Sequence, residues 1–287
     1  MKWFCFILIT SLVACSGTDK ESLISGSTTF LVESSDSVAI AQQWDIFSND
    51  YPEAKINLKY LPQNYALQQF LDDKARVLVC DRNLTLEEKN TVERDGIKLR
   101  SYLISAKSIA IIAHPSNTIT SLKQDELKLF IQGNLPLTKE YSLLVSDGNS
   151  AIYAYLKGKF GDPKLKQAGS INALMNTISS NPKAIGFIPT DYLIDETSNR
   201  KRKNLNRIKA IPIRSNQDQK LYSAATPNMK GLKYPLVQEI YLHDAQGKSG
   251  LGTGFAGFML SDRGQLIFKK MGWYAVRNRE RDIQISL

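Results

Sequence analysis

The chain has 287 residues, with 37 Lys and Arg against 28 Asp and Glu, a formal charge of +9. A hydrophobic share of 43% with 23% charge excludes a disordered or fibrous chain and supports a packed core. The three cysteines Cys5, Cys15 and Cys80 are too few and too early for a disulfide framework.

The chain opens with Lys2 and an apolar run from Trp3 to Val13. Eleven residues are too few to span a bilayer, which takes about 20, but they suit a signal peptide. Leu12-Val13-Ala14-Cys15 resembles the bacterial lipobox, so residues 1–15 read as a lipoprotein signal, with Cys15 lipidated as the mature N-terminus. The expected location is the cell envelope, with the protein held to a membrane by lipid and facing the periplasm. Residues 16–24 are polar and read as a flexible spacer.

Thr28 to Val32 is β-branched and apolar, a strand. Ser34-Ser35-Asp36-Ser37 offers N-caps to a helix carrying Ile40, Ala41, Trp44 and Phe47 on one face. Ile56, Leu58 and Tyr60 alternate as a strand, Leu67, Phe70 and Leu71 mark a helix, and Arg76 to Cys80 is a buried strand in which Cys80 serves as a small hydrophobe. Thr85 to Glu88 is a capping box. Ser108 to Ala113 is an apolar strand, and Ser121 to Gln124 caps a helix ending near Gly133. Leu143 to Val145 is a strand, followed by the turn Ser146 to Ser150 and a helix through Leu156. Ala184 to Ile188, Ile208 to Ile213 and Leu236 to Leu242 are later strands, and Leu260 to Met271 is a final helix. The alternation predicts an α/β protein with mainly parallel sheets. The basic run Arg200 to Lys203 reads as a solvated loop.

Catalytic signals are few. His114 and His243 stand outside any metal-type spacing, and no nucleophile elbow, phosphate loop or dinucleotide fingerprint occurs. No enzyme activity, cofactor, metal site or nucleic-acid partner is expected. Three polar turns after strands, Glu33 to Ser37, Asp81 to Asn83 and Ser146 to Ser150, point instead to a ligand cleft at the carboxyl ends of a sheet.

The order of segments resembles the substrate-binding lipoproteins of phosphate ABC importers. The carrying pieces are Asp81 to Lys89, Ile109 to Asn117, Leu122 to Gly133, Asn181 to Ile188, Tyr234 to Leu236 with Ile240-Tyr241, and Gly254 to Phe258 with Ser261, Gly264, Gln265 and Gly272. The stretch Gly250 to Phe255 is similar to a Bacteroidota branch. The resemblance implies a type II periplasmic-binding-protein fold, two α/β lobes with a ligand cleft between them. Lobe 1 would combine residues 25–102 and 234–287, and lobe 2 would hold 103–233. The implied function is binding phosphate or another small oxyanion for an ABC permease. The alternative is a scaffold or interaction part of an envelope complex.

Carried over residue by residue, the family's site falls on Ser34, Ser35, Asp36, Gln63, Asn64, Asp81, Arg82, Asp147, Asn149 and Ser150. Asp81 would accept the phosphate proton. The family's arginine falls on Val145, and its Ser-Gly-Thr on Asn149-Ser150-Ala151, so phosphate binding weaker than micromolar is expected. Val145→Arg is expected to restore affinity.

Overall fold

A computed structural model describes residues 21–194, 207–224 and 234–276. Cys15 and the basic run Arg200 to Lys203 lie outside the described residues.

The first lobe builds β1 (Gly26–Glu33), α1 (Ser37–Asp50), β2 (Ala54–Leu61), α2 (Gln63–Leu71), β3 (Val77–Cys80) and α3 (Leu86–Glu93). β1 pairs parallel with β2 on one side and β3 on the other. The capping box forms, with Glu88 N–H donating to Thr85 Oγ1 and Thr85 N–H to Glu88 Oε2.

β4 (Arg100–Ala113) is more than twice the length of the apolar run that announces it, because the residues ahead of that run include Arg100, Ser101, Ser105 and Lys107. The second lobe adds β5 (Leu122–Lys123), α4 (Leu127–Ile131), β6 (Ser142–Val145), α5 (Ala151–Phe160), β7 (Lys166–Gln167), α6 (Ile171–Ser180), β8 (Ala184–Pro189) and α7 (Asp191–Ile194). The short strands β9 (Lys209–Ala210), β10 (Ile213–Arg214) and β11 (Leu221–Tyr222) follow. β12 (Val237–Asp244) returns the chain to the first lobe, where α8 (Leu251–Met259) and α9 (Asp262–Lys270) complete it.

One sheet runs through both lobes in the order β2-β1-β3-β12-β4-β8-β6-β7. It is parallel within each lobe but antiparallel at β3–β12, β12–β4 and β4–β8. The expectation of mainly parallel pairing therefore fails at the centre, where two strands cross between lobes in opposite directions. The hydrophobic cores divide along β4: Ile104 packs with Phe30, Phe255 and Trp273, whereas Ile109 to Ala113 pack with Phe130, Leu174 and Phe187. The change-over lies a few residues past the Tyr102 boundary expected from sequence.

Two local expectations also differ. Leu122-Lys123 is a strand, and α4 begins at Leu127 without a side-chain cap. Pro212 separates β9 from β10, since a proline has no N–H to donate. The expected final helix over Leu260 to Met271 forms as α9, and α8 ahead of it is a helix the sequence reading did not name. Ser261 caps α9 by accepting from Gly264 N–H, and the glycine-rich Leu251–Met259 is helical because burial of Leu251, Phe255, Ala256 and Met259 outweighs glycine's cost. Glu21 and Leu23, inside the expected spacer, are seated on this lobe, with Gln246 Nε2 donating to the Glu21 carboxylate.

Candidate functional site

β1, β3 and β6 end on the same side of the sheet, and the polar turns that follow them face one another across the lobes. Glu33 ends β1, and Ser34–Asp36 form a single 3-10 turn that leads into α1. Ser35 and Asp36 do not cap α1 with their side chains. Both are occupied elsewhere.

Their partner is Lys107, a residue the sequence reading passed over. Its ammonium donates to Ser35 Oγ at 3.0 Å and to Asp36 Oδ1. It stands 2.9 Å from Asp81 Oδ2 as an ion pair without hydrogen-bond alignment. The Trp273 ring lies on another side, 5.3 Å from the nitrogen to its centroid. Lys107, Asp36 and Asp81 are all buried. Burial alone would push the Lys107 ammonium down, but Asp36, Asp81 and Asp191 outweigh it, so its affinity for the proton is raised. Burial and the neighbouring Asp81 hold the Asp36 carboxyl well above the ordinary carboxylate range.

Glu33 faces the same centre from the other side and is 1% exposed. Backbone N–H groups of Ala151, at the start of α5, and of Ser35 are directed at its carboxyl. Burial, and next the charge of Asp81, push its pKa up to about 8. Its Oε2 has no hydrogen-bond partner among the described residues.

Two mouths open on this cluster. A cavity of about 290 Å³ is lined by Glu33, Ser34, Ser35, Ser150, Ser170 and Tyr192 among others. It receives the starts of α5 and α6, whose N-caps Ser150 and Ser170 accept from Tyr153 and Ala173 N–H. On the other side a cavity of about 570 Å³ is lined by Asp81, Arg82, Tyr155, Gln238 and Tyr274.

The predicted residues sort accordingly. Ser34, Ser35, Asp147 and Ser150 line the smaller mouth. Gln63 braces Asp81, accepting from its N–H at 2.9 Å. Asn64 and Asn149 join the lobes, Asn64 N–H donating to the Asn149 carbonyl at 3.2 Å. Asp147 shapes the turn by accepting from Asn149 N–H at 2.6 Å. Asp36 and Asp81 meet at Lys107. Arg82 does not point its charge into the cluster; it forms a two-pronged pair with Glu88, at 2.8 and 2.6 Å. Val145 is fully buried in the apolar core of the second lobe, so Val145→Arg would bury a charge among hydrophobes, and the expected gain in affinity is withdrawn.

Sequence reasoning missed Lys107, Gln238, Ser170 and Asp191. Lys107 carried a readable signal, a lone ammonium seven residues into a strand that turns wholly apolar, where burial demands a counter-charge. Gln238 sits directly across from it in β12 and donates to the Ala151 carbonyl.

Comparisons with known proteins agree with this architecture. Residues 16–263 match the family described as a PBP superfamily domain. The phosphate-binding protein PstS of Staphylococcus epidermidis is 21% identical over 236 residues, covering 76% of this chain and 70% of that protein. The crystal structure of a putative phosphate ABC transporter substrate-binding protein with bound phosphate from Clostridium perfringens superposes with a TM-score of 0.69. It is 19% identical, with 88% of this chain and all of that one covered. An ABC-type phosphate transport receptor from Vibrio cholerae gives a TM-score of 0.62 at 15% identity, with 86% of this chain and all of that one covered. At these identities the structures establish the two-lobed fold, and the match over most of the length establishes the lineage: the chain belongs to the PBP superfamily.

Proposed function

We propose that the protein is the substrate-binding receptor of a phosphate-type ABC importer, taking a small oxyanion between its lobes. The observation that carries this reading is the interlobe cavity lined by Ser34, Ser35 and Ser150, at which α5 and α6 start, with the Lys107 ammonium enclosed behind Ser35. Backbone N–H groups at a helix start and a cation are what a desolvated oxyanion requires. The PstS relatives support the ligand class. Cys15 is the lipid attachment site, the protein faces the periplasm from a membrane surface, and its protein partner is the permease.

Titration calorimetry with phosphate and sulfate tests the reading. Saturable heat is expected, with phosphate weaker than micromolar by tenfold or more, about 1.4 kcal/mol. No heat with either anion at millimolar concentration would overturn it in favour of a scaffold role in an envelope complex. One observation favours that second reading: the amides an anion would use already face Glu33. Labelled palmitate incorporated by the full chain, and lost in Cys15→Ser, tests the anchor.

A further inference from the structure

We propose that Glu33 is the specificity-determining residue of the cleft, a built-in carboxyl group that holds the anion position and must be displaced before an external oxyanion can enter. The inference rests on the receptor reading for the identity of the site and adds how access to it is controlled.

Glu33 is the last residue of β1, and its backbone continues into the turn that delivers Ser35 and Asp36. The side chain turns inward rather than to solvent. It lines the same cavity as Ser150, which caps α5 in the other lobe, and as Ser35 in its own, with the Ala151 and Ser35 amides favouring its charged form. These are two donors from facing lobes, the arrangement that recognises an oxyanion shared between them. With Oε2 left unpartnered, the Glu33 carboxyl offers this pair of donors one oxygen, whereas a tetrahedral anion can bring an oxygen to each.

The remainder of the surroundings makes the position contested. Glu33 Oε2 is buried without a hydrogen-bond partner among the described residues, a costly state for a polar oxygen. Asp81 adds repulsion, while Lys107 attracts. The carboxyl therefore lies in its pocket under strain from desolvation and like charge, and the mouth of about 290 Å³ gives it room to swing out. A buried carboxyl lining the cavity with one oxygen unpartnered is a displaceable occupant. A dianion approaching these amides meets Glu33 first, together with Asp36 and Asp81 behind it.

The test titrates inorganic phosphate and sulfate at pH 9, above the value of about 8 at which Glu33 gives up its proton, into the unsubstituted protein, Glu33→Ala and Glu33→Gln. Thermal unfolding confirms that each is folded. Removing both bulk and charge in Glu33→Ala should tighten phosphate binding by about tenfold or more. Glu33→Gln keeps the volume and loses the charge, so it should fall between the other two. Tighter binding by Glu33→Ala when the unsubstituted protein shows none supports the role of Glu33 while sinking the transport reading. Equal affinity in all three overturns the role of Glu33 and leaves the receptor reading standing. Failure of every variant to bind either anion overturns both. Where Glu33→Ala does not fold, Glu33→Gln decides: affinity no better than that of the unsubstituted protein overturns the proposal.

Discussion

Lys107 Nζ stands 2.9 Å from Asp81 Oδ2, both side chains fully enclosed, at the strand that carries the chain from one lobe to the other. A single ammonium thus ties the turn after β3 and, through Asp36, the turn after β1 to the crossover. A buried pair of this kind is weak evidence of net stabilisation, because desolvating the ions consumes most of what their attraction returns. Losing one member is different.

Lys107→Met should therefore destabilise the protein by roughly 3–5 kcal/mol at neutral pH, since Asp36 and Asp81 would lie buried without a counter-ion. Urea unfolding at pH 7 and pH 5 measures it. The deficit should be smaller at pH 5, the direction in which the raised Asp36 carboxyl loses its charge. A loss below 1 kcal/mol at pH 7 would show that the pair is not the anchor of the site.

Glu33 imposes a pH dependence of opposite sense to an ordinary salt-bridged carboxylate. Its ordinary value is 4.5 and burial raises it to about 8. Between these values the folded state holds a proton that the unfolded state has released. Its contribution is complete below pH 4.5 and is lost as the pH rises through 8. Stability should fall by up to a few kcal/mol across that window, and Glu33→Gln should flatten the decline. Denaturation midpoints from pH 5 to 9 that run parallel in the two proteins would count against this.

His243 acts at the acid end. It is enclosed, accepting at Nδ1 from Ser101 Oγ at 2.8 Å and donating from Nε2 to the Arg82 carbonyl at 3.2 Å. Burial lowers its pKa from 6.5 to about 4. The unfolded state binds the extra proton first, so stability is full above pH 6.5 and is lost as pH falls toward 4, by on the order of 3 kcal/mol. Nuclear magnetic resonance of the ring should show no titration near pH 6.5. A midpoint there would contradict the enclosed neutral imidazole.

Gly254 has no room for a side chain. A Cβ there would lie 1.7 Å from the Leu23 carbonyl oxygen. Gly254→Ala should dislodge the segment around Leu23 and cost about 1–3 kcal/mol. Limited proteolysis should then cut near Leu23 faster than in the unsubstituted protein. Unchanged cleavage and melting would show that the contact yields without cost.

Much of the framework was legible because strand and helix periods are local properties. The sheet strands ending in polar turns, the capping box at Thr85 and the convergence of Ser35, Asp81 and Ser150 follow from such signals. The antiparallel centre was hidden, since a crossover strand has the same local signature whichever neighbour it joins. Within the site, Asp36 and Asp81 were found, but the ion that holds them lies 26 residues beyond Asp81 on another element. No local pattern encodes that meeting. Transfer by position also misled at Val145, where β6 directs the side chain into the core.

The placement of Glu21–Ser25 at the amino end of β1 gives the molecule a polarity. Seven steps of strand, roughly 23 Å at the usual rise, separate Gly26 at that base from Glu33 in the cleft. The chain therefore enters the first lobe at the end opposite the cleft. Both mouths lie at the carboxyl ends of β1 and β3, so the strand that receives the chain at its foot carries the cleft at its head.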